Sequence, residues 1–203
     1  MSLRAYTGVD DAAALRERGD AMGIFSPPDF EQMRERADWP RLIHWSLYDR
    51  DPEAARAARD VLRADPAPVV EHLYETARWT RAHTIGRRNH LPRHGVMLLN
   101  EVTRALRRMG APAVDPLVQA VQLYDEYGDP DDDTKYLVFC LVFDVLEKMG
   151  RPAVGGLRTL AGSSDETAAR LAREALGNLD ARGVLGPDPR ARDAGGDGRR
   201  RSA

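Results

Sequence analysis

Cys140 is the one cysteine in the chain, which excludes an internal disulfide and every Cys-rich zinc module. Isoleucine and threonine are scarce, at 3 and 8 residues beside 28 alanines and 21 leucines. That usage starves strands and favours helices, so an all-α fold is expected. Long apolar runs are missing too. The longest, 136–143, is eight residues, far short of the roughly 20 that a membrane span needs. Neither sign of charge dominates: the net charge is −2, and no overall basic field draws the chain to nucleic acid. Lysine occurs twice against 28 arginines. This is a bias of the whole chain, so arginine number alone does not argue for phosphate binding. Residues 1–15 carry acids where a signal peptide needs a long apolar segment, and cytoplasmic residence is the expectation.

What the chain does have is internal repetition, the feature to seek before local structure. Residues 105–121 and 145–161 superpose at an offset of 40, with Leu106 on Leu146, Met109 on Met149, Gly110 on Gly150 and Pro112 on Pro152. An earlier copy at 61–73 fits at an offset of 44 through Leu62, Pro68, Val70 and Leu73. A second half-motif recurs at 51–62 and 165–176, where seven of twelve positions agree. Gly110 and Gly150 stand where a helix must end in a left-handed residue, which glycine alone adopts cheaply. Pro112 and Pro152 then open the next helix, where a missing N–H costs nothing. Asp51 and Asp165 are N-cap candidates for the alanine-rich helices that follow them. Each unit therefore reads helix A, turn, helix B, with units at 39–65, 66–110, 111–150 and 151–180.

Gly-x-Pro-Ala-Val at the opening of helix A and Asp-x-x-Ala-Ala-Arg at the start of helix B resemble the HEAT repeat family in its bacterial form, over roughly residues 39–180. The resemblance implies a right-handed α-solenoid of about four helix pairs. In that family the B helices line a concave face, and the usual role is a binding or scaffolding surface, with few enzymes. Residues 1–38 are expected to form a helical cap on the open end, with short helices at 9–20 and 27–37. The second of these opens on Ser26 as N-cap, with prolines 27 and 28 in the first turn and the acid Asp29 at the third position. Residues 181–203, rich in Gly, Pro and Arg towards the end, are expected to be a disordered tail.

Function should lie where the repeats disagree. Units one and four turn within a few residues, whereas unit two inserts 83–95 and unit three inserts 125–134. Loops of that length in a compact array are often functional. Their charges oppose. Residues 78–108 hold eight arginines against Glu101, and residues 115–133 hold seven acids and no base. A bipolar rim of Arg87, Arg88, His90, Arg93, His94, Asp129, Asp131, Asp132 and Asp133 would bind a charged partner, or the two loops would screen each other. Helix B of unit three, 134–149, is apolar nearly all round, so it is buried on every side or faces a ligand. Tyr136, Phe139, Cys140 and Phe143 make one stripe at helical spacing, while Leu137, Leu141 and Val145 on the other side serve the core. The concave face implied by the resemblance would then consist of Arg56, Arg59, Asn100, Arg104, Tyr136, Phe139, Cys140, Phe143, Arg170 and Arg173. Asp144 aligns with Asp60, Arg104 and Glu174, so it belongs to a charged row of alternating sign and is not a catalytic carboxylate.

No catalytic residue or cofactor is expected, and metal binding is rejected. His90 and His94 have i, i+4 spacing, but proline lies between them and arginines crowd them. Asp129, Asp131 and Asp133 lack the glycine and glutamate that complete a calcium loop. Cys140, in a hydrophobic helix, is read as a protonated, inert thiol. A protein or peptide partner is the leading expectation, with self-association possible and no membrane contact. Nucleic acid is the rival, because HEAT-like repeats also build alkylpurine DNA glycosylases. Trp39, Trp45, Trp79 and the arginines of 78–108 would supply stacking and phosphate contacts. The chain matches no motif of that family residue by residue. A small apolar ligand or an enzyme role in the same groove is the third alternative.

Overall fold

The computed structural model describes residues 28–48, 50–84, 91–124 and 132–185, with Asp132 described through its backbone alone. Within them the chain is all-α and contains no strand. The helices are α1 (Phe30–Glu35), α2 (Trp39–Ser46), α3 (Pro52–Ala64), α4 (Ala67–Ala82), α5 (Arg93–Met109), α6 (Val114–Gln122), α7 (Asp132–Met149), α8 (Val154–Ala161) and α9 (Glu166–Ala181). The expected cap helix at 9–20, most of the tail, and the rim residues Arg87, Arg88, His90, Asp129 and Asp131 lie outside the described residues.

Local chemistry accounts for the helix starts. The Asp51 carboxylate accepts from the Ala54 N–H at 3.0 Å and Asp165 accepts from Ala168 at 2.9 Å, so both act as N-caps. Asp29 accepts from Gln32 at 2.9 Å and caps α1, a role the residue pattern had placed on Ser26. Two details differ from expectation at the joints. Gly110 and Gly150 have φ of 73° but ψ of −137° and −130°. This is mirror-extended backbone, not the left-handed helical well, and glycine alone adopts it cheaply. Pro112 and Pro152 then sit in single 3₁₀ turns, Ala111–Ala113 and Arg151–Ala153, that lead straight into α6 and α8. The tight turn reverses the chain before the α-helix proper begins.

The two long insertions are shorter than they read. α5 already begins at Arg93 and α7 at Asp132. Arg93 and His94 are thus first-turn residues of α5, and Asp133 a first-turn residue of α7, not loop residues. Asp133 near the positive end of α7 is electrostatically well placed.

Helices pack in pairs and in rows. α2 lies on α3, α4 on α5, α6 on α7 and α8 on α9. The first helices make one row of contacts, α2–α4–α6–α8, and the second helices another, α3–α5–α7–α9. α1 closes over α2 and α3. The repeated apolar positions fill the space between rows: Leu62, Leu106 and Leu146 from second helices and Leu73, Leu117 and Leu157 from first helices are all 0% exposed. Leu176, the fourth equivalent, is only partly buried, and no further helix pair packs on α9 among the described residues. Close approach of α6 and α8 depends on Gly156, where a Cβ would stand 2.6 Å from Val118 Cγ2.

Candidate functional site

The second-helix row is the surface on which the expected site residues fall. α7 is its central member, touched by α4, α5, α6 and α9. It buries Val138, Phe139, Val142, Phe143, Val145 and Leu146. Phe139 meets Tyr124 edge-on at 5.6 Å and Phe143 at 6.4 Å. The expectation that Phe139 and Phe143 form an exposed floor is therefore wrong: they are 0% and 4% exposed. The boundary between buried and exposed faces lies about a quarter turn from where the aromatic spacing put it. Tyr136 and Cys140 fall on the outer side together with Leu137 and Leu141, which had been assigned to the core. Periodicity on a helix apolar nearly all round carries no phase, and neighbours on several sides decided it.

The exposed large hydrophobic residues among the described ones are Val96 at 37%, Met97 at 54% and Tyr136 at 52%. They occupy corresponding register positions on α5 and α7, because the offset of 40 places Val96 beside Tyr136 and Met97 beside Leu137. Tyr136 also lines a cleft of about 290 Å³, together with Arg81, Leu91, Asp133, Leu137 and Cys140. Its polar wall is an ion pair from Arg81 Nη2 to Asp133 Oδ2, whose side chains are 18% and 66% exposed. The Arg81 Nε is buried with no hydrogen-bond partner. Val96, Met97, Leu91 and Arg81 were missed in the sequence. The signal available was that Met97 stands where unit three has Leu137, on a helix otherwise polar on that face.

Several arginines of the expected surface serve the fold. Arg59 Nη1 donates to the Ser46 carbonyl at 2.9 Å, and Arg108 Nη1 to the same oxygen at 3.4 Å. Arg63 donates from Nε to the Met109 carbonyl at 3.2 Å and from Nη2 to that of Arg108 at 3.0 Å. These bonds occupy carbonyls at the C-terminal ends of α2 and α5, where cations are favoured. Arg173 Nε turns back to the Ala169 carbonyl at 2.9 Å, and Arg170 pairs with Glu174 at 3.8 Å. Arg56, Asn100 and Arg104 are exposed. The alternating row also resolves differently. Asp60 pairs with Arg63 at 3.2 Å and Asp144 with Lys148 at 2.7 Å, each within its own helix.

Trp39 and Trp45 pack against the core. Trp79 stacks on His83 at 4.3 Å and meets His94 edge-on at 5.9 Å. No described group of three or more His, Cys, Asp or Glu side chains is arranged to hold a metal ion. Two titratable groups are displaced. Burial pushes the His72 imidazole below its ordinary value, against the opposing charge and hydrogen bond of Glu75. Burial acts upward on Asp165, but the Lys135 ammonium at 2.7 Å and the Ala168 and Thr167 amides together hold it below the ordinary value. The same ammonium lies 5.8 and 5.6 Å from the Tyr124 and Phe139 ring centres, so Lys135 joins α7 both to Tyr124 after α6 and, through Asp165, to the start of α9.

The fold and surface thus define an all-α protein of paired helices, with a cleft beside α7 and a few exposed apolar side chains on a largely polar second-helix surface. No family model, curated protein or solved structure matches the chain. Among the described residues no helix is long and apolar enough to cross a membrane.

Proposed function

We propose that this chain is a HEAT-like α-solenoid binding module that takes a protein or peptide partner on its second-helix face. The solenoid reading rests on the two rows of like-to-like helix contacts and on the repeated leucines between them. The binding reading rests on one observation: Val96, Met97 and Tyr136, the exposed large apolar side chains of the described surface, lie on two neighbouring second helices, Val96 and Tyr136 at matching register positions, and Tyr136 lines a cleft. Grouped apolar exposure of this kind marks interaction sites, whereas scattered exposure does not. The partner surface is accordingly Met97, Val96, Tyr136, Leu137 and Cys140, flanked by Asn100 and Arg104. Phe139 and Phe143 support it from below. Nucleic acid is the weaker reading, since Arg59, Arg63 and Arg108 are committed to helix-end carbonyls, and a basic face needs its cations free.

Photo-crosslinking tests this. Benzoylphenylalanine replaces Met97, Tyr136 or, as a control on the first-helix row, Arg158. Discrete adducts at 97 and 136 but not at 158 are expected from cells of the native source. An adduct of twice the chain's mass would identify self-association on this face. Equal labelling at all three positions, or none, would overturn the reading.

A further inference from the structure

α5 and α7 touch as neighbours in the second-helix row, and the repeat offset of 40 matches their residues position by position. At one height both helices expose apolar side chains, Val96 and Met97 on α5 and Tyr136, the equivalent of Val96, on α7. About two turns further along, the same register matches Arg104 with Asp144, and both are exposed. These groups are complementary, yet Asp144 is held within its own helix by Lys148 at 2.7 Å. The helices also differ in charge as wholes. α5 carries four arginines against one acid, and α7 four acids against two lysines. Each helix presents the charge that the other lacks.

A surface whose two halves carry complementary groups at equal heights is complementary to itself. Resting on the solenoid binding function proposed above, in which equivalent helices run side by side in one direction, we infer that the partner on this face is a second copy of the chain. The two copies are related by a two-fold axis that runs along the helices between α5 and α7. Such an axis keeps height and exchanges sides, so it lays α5 of one protomer on α7 of the other. Tyr136 of each then meets Val96 and Met97 of the other, and Arg104 of each meets Asp144, so every contact is made twice. An axis across the helices would lay α5 on α5 and oppose arginines to arginines. The contact is confined to the central pair, because further out the same operation sets Arg56 of α3 against Arg170 of α9, which are equivalent positions of like charge. The dimer is therefore small and depends on concentration.

Analytical ultracentrifugation of the full chain over a range of concentrations tests this. The wild type should pass from monomer to dimer, and added salt should weaken the dimer. Arg104→Glu and Asp144→Arg change exposed positions and should leave the fold intact. Each alone should weaken the dimer about tenfold or more, because a like-charge contact then occurs twice. An equimolar mixture of the two variants should dimerise like the wild type, since every facing pair is again of opposite sign. A pairing within one chain would be rescued by the double variant but not by the mixture, so rescue in the mixture assigns the contact to two copies. Tyr136→Ala, at the apolar end, should weaken the dimer by a similar factor. A dimer indifferent to both charge reversals, or a mixture that fails to rescue, would overturn the inference. A chain that stays monomeric while positions 97 and 136 crosslink to an unrelated protein would overturn it and leave the binding function standing. A monomer with no adduct at either position would sink both.

Discussion

At the scale of single residues, backbone geometry and free volume make opposite demands on chemically similar positions. Ala37, between α1 and α2, has φ of 55°, a region where a Cβ costs about 1–2 kcal/mol. Ala37→Gly should therefore raise stability by up to about 1 kcal/mol, the relieved strain being partly offset by the freer unfolded chain. A urea melt reads it, and a loss would show that the turn is not strained. Gly155 and Gly156 are neighbours in α8 with contrary surroundings: a Cβ at 155 meets nothing within 4 Å, whereas one at 156 meets Val118 and Val114 at 2.6 and 3.0 Å. Gly155→Ala should stabilise by about 0.5–1 kcal/mol through helix propensity. Gly156→Ala should destabilise by about 1–3 kcal/mol through overpacking. Matched melts of the two variants with the same sign would refute the assigned approach of α6 to α8. These positions show how little residue type alone discloses, since the two glycines are adjacent in the chain.

At the scale of elements, α7 carries the main lesson. Its composition announces burial, and its N-terminal neighbourhood announces charge, but which face looks outward follows from what packs on it. Phe143, 4% exposed and in contact with Phe139, should lose about 3–5 kcal/mol on truncation to Ala. Leu141→Ala, on the partly exposed side, should lose clearly less. Comparable losses would mean that both faces of α7 are core. Two of the N-caps, by contrast, were legible. Asp51 and Asp165 cap where an aspartate followed by an alanine-rich run says they should, because capping is decided within four residues of chain. The Lys135–Asp165 pair that bridges α7 to α9 had no such local signature.

For the whole molecule, pH is the simplest global probe. His72 is held below its ordinary value of 6.5 by burial. Below that pH the unfolded chain binds a proton that the folded chain still refuses, so stability falls as pH drops from 6.5 towards the folded value. Asp165 acts in a more acidic window. Its folded carboxyl is held below 3.8, so its contribution is present above that pH and is lost as pH falls through the folded value. Urea midpoints at pH 7.5 and 5.5 should show the first decline, and His72→Gln should reduce it. An unchanged slope in that variant would assign the decline to other histidines.

Repetition, helix class and punctuation were determined by the sequence alone, because each is written in contacts a few residues apart: a glycine at positive φ, an aspartate under an amide, leucines every unit at the same phase. What the tertiary structure alone decided is which side of each second helix is left over. Arg59 and Arg108 read as surface charge until the Ser46 carbonyl, 13 and 62 residues away, claims them. Phe143 read as surplus until α7 was enclosed by its neighbours. Arg81 meets Asp133 across 52 residues, and no periodicity connects them. Long-range packing assigns faces and partners, and so a site made of leftover surface comes into view only when the helices are assembled.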